Sequence, residues 1–268
     1  MTDALDRSRL SLNLMTVDGW ALDEALDGCA RAGIGTVGIW RAQLGDGAAA
    51  RVAASSVGVS GLCRGGFFPA STVRERTARI DDNRRAIEEA AELGTSVLVM
   101  VCGPAPDRDL AAARRMVHEG IEAILPDALE HGVTLGIEPL HPMMLGERSV
   151  IVTLREAVDL ALAFESGVGV VVDAYHVFWD PLVEAELDRA RGLIVGFHVS
   201  DWLVPTTSTV AGRGMMGDGI IDLRRLRLAV DQAGYDGPIE VEIINPEFSG
   251  RDRDELVRLV CERFTTVV

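Results

Sequence analysis

Eight short runs of aliphatic and β-branched residues recur along the chain, each followed by a longer stretch, helical in periodicity in nearly every case. The runs fall at 9–14 (RLSLNL), 36–40 (TVGIW), 57–62 (VGVSGL), 96–102 (SVLVMVC), 133–138 (VTLGIE), 168–173 (VGVVVD), 194–199 (IVGFHV) and 239–244 (IEVEII). Gly33, Gly94, Gly132 and Gly234 close helical stretches where a left-handed C-terminal residue is wanted. RAQLGDGAAARVAASS, after the second run, has the weakest helical pattern. No linker, repeat or low-complexity segment interrupts the series. Such alternation predicts an α/β chain folded as a (β/α)8 TIM barrel, a single domain over 1–268, close to the about 250 residues usual for that fold. A doubly wound open sheet is the alternative, but no GxGxxG follows the first run to support its nucleotide-binding form.

Composition removes several chemistries. All 26 basic residues are arginine. Without a lysine amine the chain cannot run Schiff-base aldolase, pyridoxal-phosphate or P-loop chemistry. A net charge of -15 with no basic run disfavours nucleic acid. Cys29, Cys63, Cys102 and Cys261 are widely spaced, as expected of buried, reduced thiols in a cytoplasmic protein. The opening MTDALDRSRL lacks an apolar core, so no leader is expected, and no apolar run approaches the ~18 residues of a membrane span.

Four of the runs end near a possible metal ligand: Glu138 in LGIEPLHP, Asp173 in VVVDAYH, His198 in VGFHVSDW and Glu242 in IEVEIIN. On parallel barrel strands these ends meet at one mouth, where three carboxylates and an imidazole suit a single divalent cation. Strand alternation places Gly136 and Thr134 on the inward face with Glu138, Val171 and Gly169 with Asp173, and Gly196 and Ile194 with His198. Glu240 shares the face of Glu242 but lies one layer deeper, which makes Glu242 the better ligand. Taken singly, each of these residues could cap a helix or sit hydrogen-bonded in the core. Taken together, their charges would repel one another strongly unless a cation neutralised them.

The segments IEP at 137–139, VVDAYH at 171–176, FHVSD at 197–201, RGMMGDGIIDL at 213–223 and GYDGPIEVE at 234–242 resemble the xylose isomerase-like sugar phosphate isomerases and epimerases. The resemblance implies an enzyme with one divalent ion on Glu138, Asp173, His198 and Glu242, Mn²⁺ foremost, with Mg²⁺, Co²⁺ or Zn²⁺ as substitutes. It also implies that His176 and Arg213 contact a small carbohydrate-like substrate. In the corresponding reaction Glu138, Glu242 and His176 are the catalytic candidates. His141, Trp40 and Arg64 follow strand ends and are further candidates for substrate binding, while Trp179 and Trp202 are possible apolar walls of the pocket. His118 and His131, on or at the end of a helical pattern, are expected to be structural. A homo-oligomer is compatible with the sequence.

Many sugar epimerases of this family carry a second carboxylate six residues after the first Glu; that position is Met144 here, and Glu147 could stand in only if its loop bends inward. The leading expectation is therefore an isomerase or epimerase acting through an enediolate. A lyase on the same site, either a dehydratase or a β-elimination of an oxidised glycoside, needs only one base and is the first rival. A related abasic-site endonuclease is disfavoured by the few histidines and the negative charge. A non-catalytic sugar-binding barrel is the remaining alternative.

Overall fold

Leu10–Asn13 (β1) pairs in parallel with Thr36–Trp40 (β2) on one side and with Ile239–Val241 (β10) on the other, and this second pairing closes the sheet. A computed structural model describes residues 7–268. Between those strands run Gly58–Gly66 (β3), Val97–Val101 (β4), Thr134–Ile137 (β5), Val168–Asp173 (β6) and Ile194–Val199 (β7). The barrel order is β1-β10-β7-β6-β5-β4-β3-β2. The barrel strands and the helices between them lie within 7–268, while the first six residues, including most of the segment read as lacking a leader, lie outside the described residues.

Helices cover the outside: Leu22–Ala32 (α1), Ala48–Ala54 (α2), Val73–Glu92 (α3), Leu110–Glu130 (α4), Leu154–Ala161 (α5) and, after the short buried turn Ala174–Val177 (α6) that follows β6, Val183–Arg189 (α7). Leu223–Gln232 (α8), Pro246–Ser249 (α9) and Arg253–Val267 (α10) complete the ring. The weak pattern after β2 becomes the short α2. Gly33, Gly94, Gly132 and Gly234 all have positive φ, as their placement after helices predicts. The outer core joins Leu12, Ile39, Leu62, Leu98, Leu135 and Phe197 to the helices, whereas Cys63, Val99 and Val171 fill the barrel with Val97 and Val195 packed against them. All four cysteines are free and buried. Among the described residues, no helix is long and apolar enough to cross a membrane.

One alternation fails. Ile194 belongs to the outer core and Val195 points inward, because the β6–β7 register shifts between Val170 and Val171. The bulge gives one face two successive residues. Gly136, Gly169 and Gly196 accommodate it: a Cβ on Gly136 would stand 2.8 Å from Val171 and 3.0 Å from Val195. Val171 and Val195 therefore form an apolar floor within the barrel.

Two short strands were not foreseen. Asp201–Trp202 (β8) and Arg213–Gly214 (β9) pair antiparallel beyond the barrel. Buried Asp201 holds this loop by accepting from the backbone N–H groups of Gly217 and Gly219 at 2.9 Å and Ile221 at 3.0 Å. The ribbon returns Arg213 to the mouth.

Candidate metal centre

Asp173 ends β6 and His198 lies within β7, while Glu138 and Glu242 stand one residue beyond β5 and β10. Backbone bonds keep the last two in line with the sheet: Glu138 N donates to Met100 O at 3.2 Å and Glu242 N to Val199 O at 3.1 Å. The four side chains are buried, and each offers a ligand atom within 4.8 Å of the others. The arrangement expected from the sequence is thus assembled in space.

Two polar atoms in this cluster have no hydrogen-bond partner, Glu138 Oε1 and His198 Nδ1, which lie 3.4 Å apart. Buried polar atoms are seldom left unmatched. His198 Nδ1 is also 3.8 Å from Glu242 Oε2, so it faces the ligand carboxylates, while its other nitrogen, Nε2, lies 3.8 Å from Glu240 Oε1. Three hard oxygen donors and an imidazole aimed at one point fit a divalent cation.

The remaining Glu242 and Glu240 oxygens are held by donors from distant strands. Glu242 Oε1 accepts from Trp40 Nε1 at 3.0 Å and Asn13 Nδ2 at 3.1 Å. Glu240 Oε1 accepts from Asn13 Nδ2 and Oε2 from Ser60 Oγ, both at 2.6 Å. Room for Glu240 depends on Gly38, whose Cβ, if present, would stand 2.0 Å from Oε1. Trp40 is thus a hydrogen-bond donor to Glu242 and also lines the cavity.

Arg213 is buried among the acids. Nη1 donates to Asp173 Oδ2 at 2.8 Å and Glu242 Oε2 at 3.0 Å, and Nη2 lies 3.2 Å from His176 Nε2. Burial disfavours the guanidinium charge, but Asp173 and Glu242 outweigh it and raise the pKa of Arg213. His176 Nδ1 accepts from His141 N at 3.2 Å. Burial, with Arg213 adding to it, holds His176 well below its ordinary value, so the ring is neutral. Burial also raises the Glu138 carboxyl, against the opposing pull of His198. For His198 burial acts downward, yet Glu240, Glu138 and Glu242 prevail and lift it to about 10.

The small cavity over these groups has a volume of only about 20 Å³ and is walled by Val101, Leu140, Met144, Val210 and Ile244, with Arg148 beside them. A larger groove, about 320 Å³ between α7 and α8, is lined by Glu184, Asp188, Arg191, Arg225 and four uncharged residues and contains none of these groups. His141 lies nearer the rim, its ring 4.8 Å from that of Trp202 and 5.8 Å from that of Trp179. Arg64 is half-buried over the Phe67 ring, 3.9 Å from its centroid. Met144 is buried, and Glu147 is exposed. His118 stacks on Phe164 and His131 bonds to Asp127 O, so both are structural, as expected. Sequence reasoning did not single out Asn13, Ser60, Arg148 or Asp201, because single polar residues on strands and loops carry no periodic signal.

A closed (β/α)8 barrel with a carboxylate-rich cluster at its C-terminal mouth defines a class of α/β proteins that place their ligand sites there. The chain belongs to the xylose isomerase-like TIM barrel family, whose model matches residues 26–265. Protein SMc04130 from Sinorhizobium meliloti 1021 is 45% identical, with 97% of this chain and 98% of that one covered and a TM-score of 0.94. The IolI protein, solved with a bound zinc atom, is 20% identical over 97% of this chain and 98% of its own, with a TM-score of 0.85. D-psicose 3-epimerase, solved in the presence of D-fructose, is 16% identical over 96% of each chain, with a TM-score of 0.77. No functionally curated protein matches this chain.

Proposed function

We propose that the chain is a divalent-metal-dependent isomerase or epimerase acting on a sugar or sugar-like hydroxycarbonyl compound through an enediolate. The observation that carries the reading is the pair of unmatched buried atoms, Glu138 Oε1 and His198 Nδ1, inside a cluster of four candidate ligands that faces a cavity lined also by His176 and Arg213. The zinc in the IolI structure and the sugar chemistry named for D-psicose 3-epimerase support it by analogy. A divalent ion held by Glu138, Asp173, His198 and Glu242 supplies Lewis acidity toward neighbouring carbonyl and hydroxyl oxygens.

The chain's own groups then divide the work. Glu242 is tied by Trp40, Asn13 and Arg213, whereas Glu138 accepts no well-aligned hydrogen bond from another side chain. Glu138, with its raised pKa, is the freer base for a carbon-bound proton, and Glu242 is the fixed partner that returns it. Neutral His176 and the Arg213 fork line the same cavity and orient substrate oxygens.

A lyase remains a second reading because of one observation. Buried Met144 and exposed Glu147 leave the cavity wall without a further carboxylate, and elimination after enolate formation needs only one base. Protein purified without chelator should contain near one equivalent of metal, and His198→Ala should lower it sharply; full occupancy in that variant overturns the ligand set. In D₂O, turnover of a substrate should bring deuterium to the carbon beside the carbonyl, and Glu138→Gln should abolish it. A product mass conserved apart from the label then indicates isomerisation, and loss of water or an aglycone indicates the lyase. Transfer of the original hydrogen without solvent exchange would remove the enediolate mechanism.

A further inference from the structure

Among the described residues, every half-buried arginine but two meets an acid or a main-chain carbonyl. Arg9 has Asp231, Arg41 has Asp82 and Glu89, and Arg79 has the carbonyls of Phe67 and Pro69. The exceptions are Arg64 and Arg148, and both stand at the barrel mouth. Arg148 lines the cavity over the ligands, and its Nε is buried without a partner. Arg64 follows Cys63, another lining residue, and its guanidinium covers Phe67. Phe67 packs on the cluster of Val101, Leu140, Met144 and Tyr175, whose first three members wall the cavity beside Arg148.

In a chain of net charge -15, two guanidinia left without acids are not explained by a shortage of carboxylates. Burial holds Arg64 below its ordinary value, and although Cys63 works against this, Arg148 and Arg41 push the same way, so the two unpaired cations feel each other. Asp82, the acid nearest in effect, is held by Arg41. Charge accounting points to a missing anion. A divalent ion and Arg213 would balance the three ligand carboxylates, Glu240 is the one further acid, and Arg64 with Arg148 leaves a single positive charge in excess. A neutral sugar has no group to meet it.

Resting on the reading of a metal-assisted hydroxycarbonyl enzyme, we propose that its substrate carries one anionic group, a carboxylate or a phosphate, which Arg64 and Arg148 bind at the rim of the metal cavity. Arginine forks suit both anions, and burial strengthens such charge-assisted bonds. The apolar wall that Val101, Leu140 and Met144 give the same cavity favours a compound less densely hydroxylated than a free hexose.

The test is calorimetric titration of the protein, Mn²⁺-loaded and metal-free, with D-fructose, D-fructose 6-phosphate and 2-keto-D-gluconate. At least one anionic probe should bind the loaded protein about tenfold or more tighter than fructose, the size of one charge-assisted contact. Arg148→Gln and Arg64→Gln should each remove most of that advantage and leave Mn²⁺ affinity intact, which also verifies that the variants fold. Preference for the phosphate ester identifies a phosphate, and preference for the keto acid a carboxylate. Equal affinities, absence of binding by all three, or a preference that survives both substitutions overturns the proposal. If Mn²⁺ fails to bind but an arginine-dependent anion preference persists in the metal-free protein, the metal reading falls and the anion site stands.

Discussion

His198 meets different acids at its two nitrogens: Nδ1 faces Glu138 and Glu242, and Nε2 lies 3.8 Å from Glu240. A carboxylate behind a ligating histidine fixes the proton on the far nitrogen and frees the near one for the metal. Glu240 is itself positioned by Asn13 and Ser60, over the space left by Gly38. Glu240→Gln should therefore lower Mn²⁺ affinity by about 10- to 100-fold without changing a stoichiometry of one, as loss of such outer partners commonly does. Glu242→Gln removes a ligand and should abolish both tight binding and turnover. Titration calorimetry of the two variants separates these outcomes, and the reverse pattern would reassign the ligand.

At the level of elements, the eight barrel strands were legible because each is a short apolar run between helical stretches, and their observed limits differ from the expected ones mainly at the ends. β3 runs on to Gly66 and β10 stops at Val241. The four candidate ligands were legible for the same reason, since a parallel barrel gathers strand ends. The β7 bulge and the β8–β9 ribbon were not, because both arise from pairing between segments distant in sequence. Arg213 shows what the ribbon contributes. It brings a guanidinium onto Asp173 and Glu242, two acids a divalent ion would also neutralise. Arg213→Met should destabilise the metal-free protein by about 3–5 kcal/mol, the usual cost of stranding buried charge. The Mn²⁺-loaded protein should lose distinctly less, and equal losses in denaturant titrations of the two forms would show that Arg213 and the ion do not share this role.

For the whole molecule, the cluster ties stability to pH. His198 is lifted from 6.5 to about 10, because Glu240, Glu138 and Glu242 together exceed the effect of burial. Folding thus favours the protonated ring, and its contribution is complete below the unfolded value and fades as pH rises through about 10. Glu138 is also raised, so its ionisation opposes folding once pH passes its unfolded value. Both groups act in the same direction. Arg213, the other charge facing the cluster, keeps its proton throughout this range, and neighbouring His176 stays neutral. The metal-free protein should accordingly lose stability from about pH 6.5 to about pH 10. A cation binds the neutral imidazole and the carboxylates, so it displaces the proton from His198 and binds more tightly as pH rises. The difference in Tm between Mn²⁺-loaded and chelator-treated protein should then widen across that interval, while His198→Ala should flatten it. A gap that narrows with rising pH would mean that protons and the cation do not compete at this cluster, and the ion would have to be sought elsewhere.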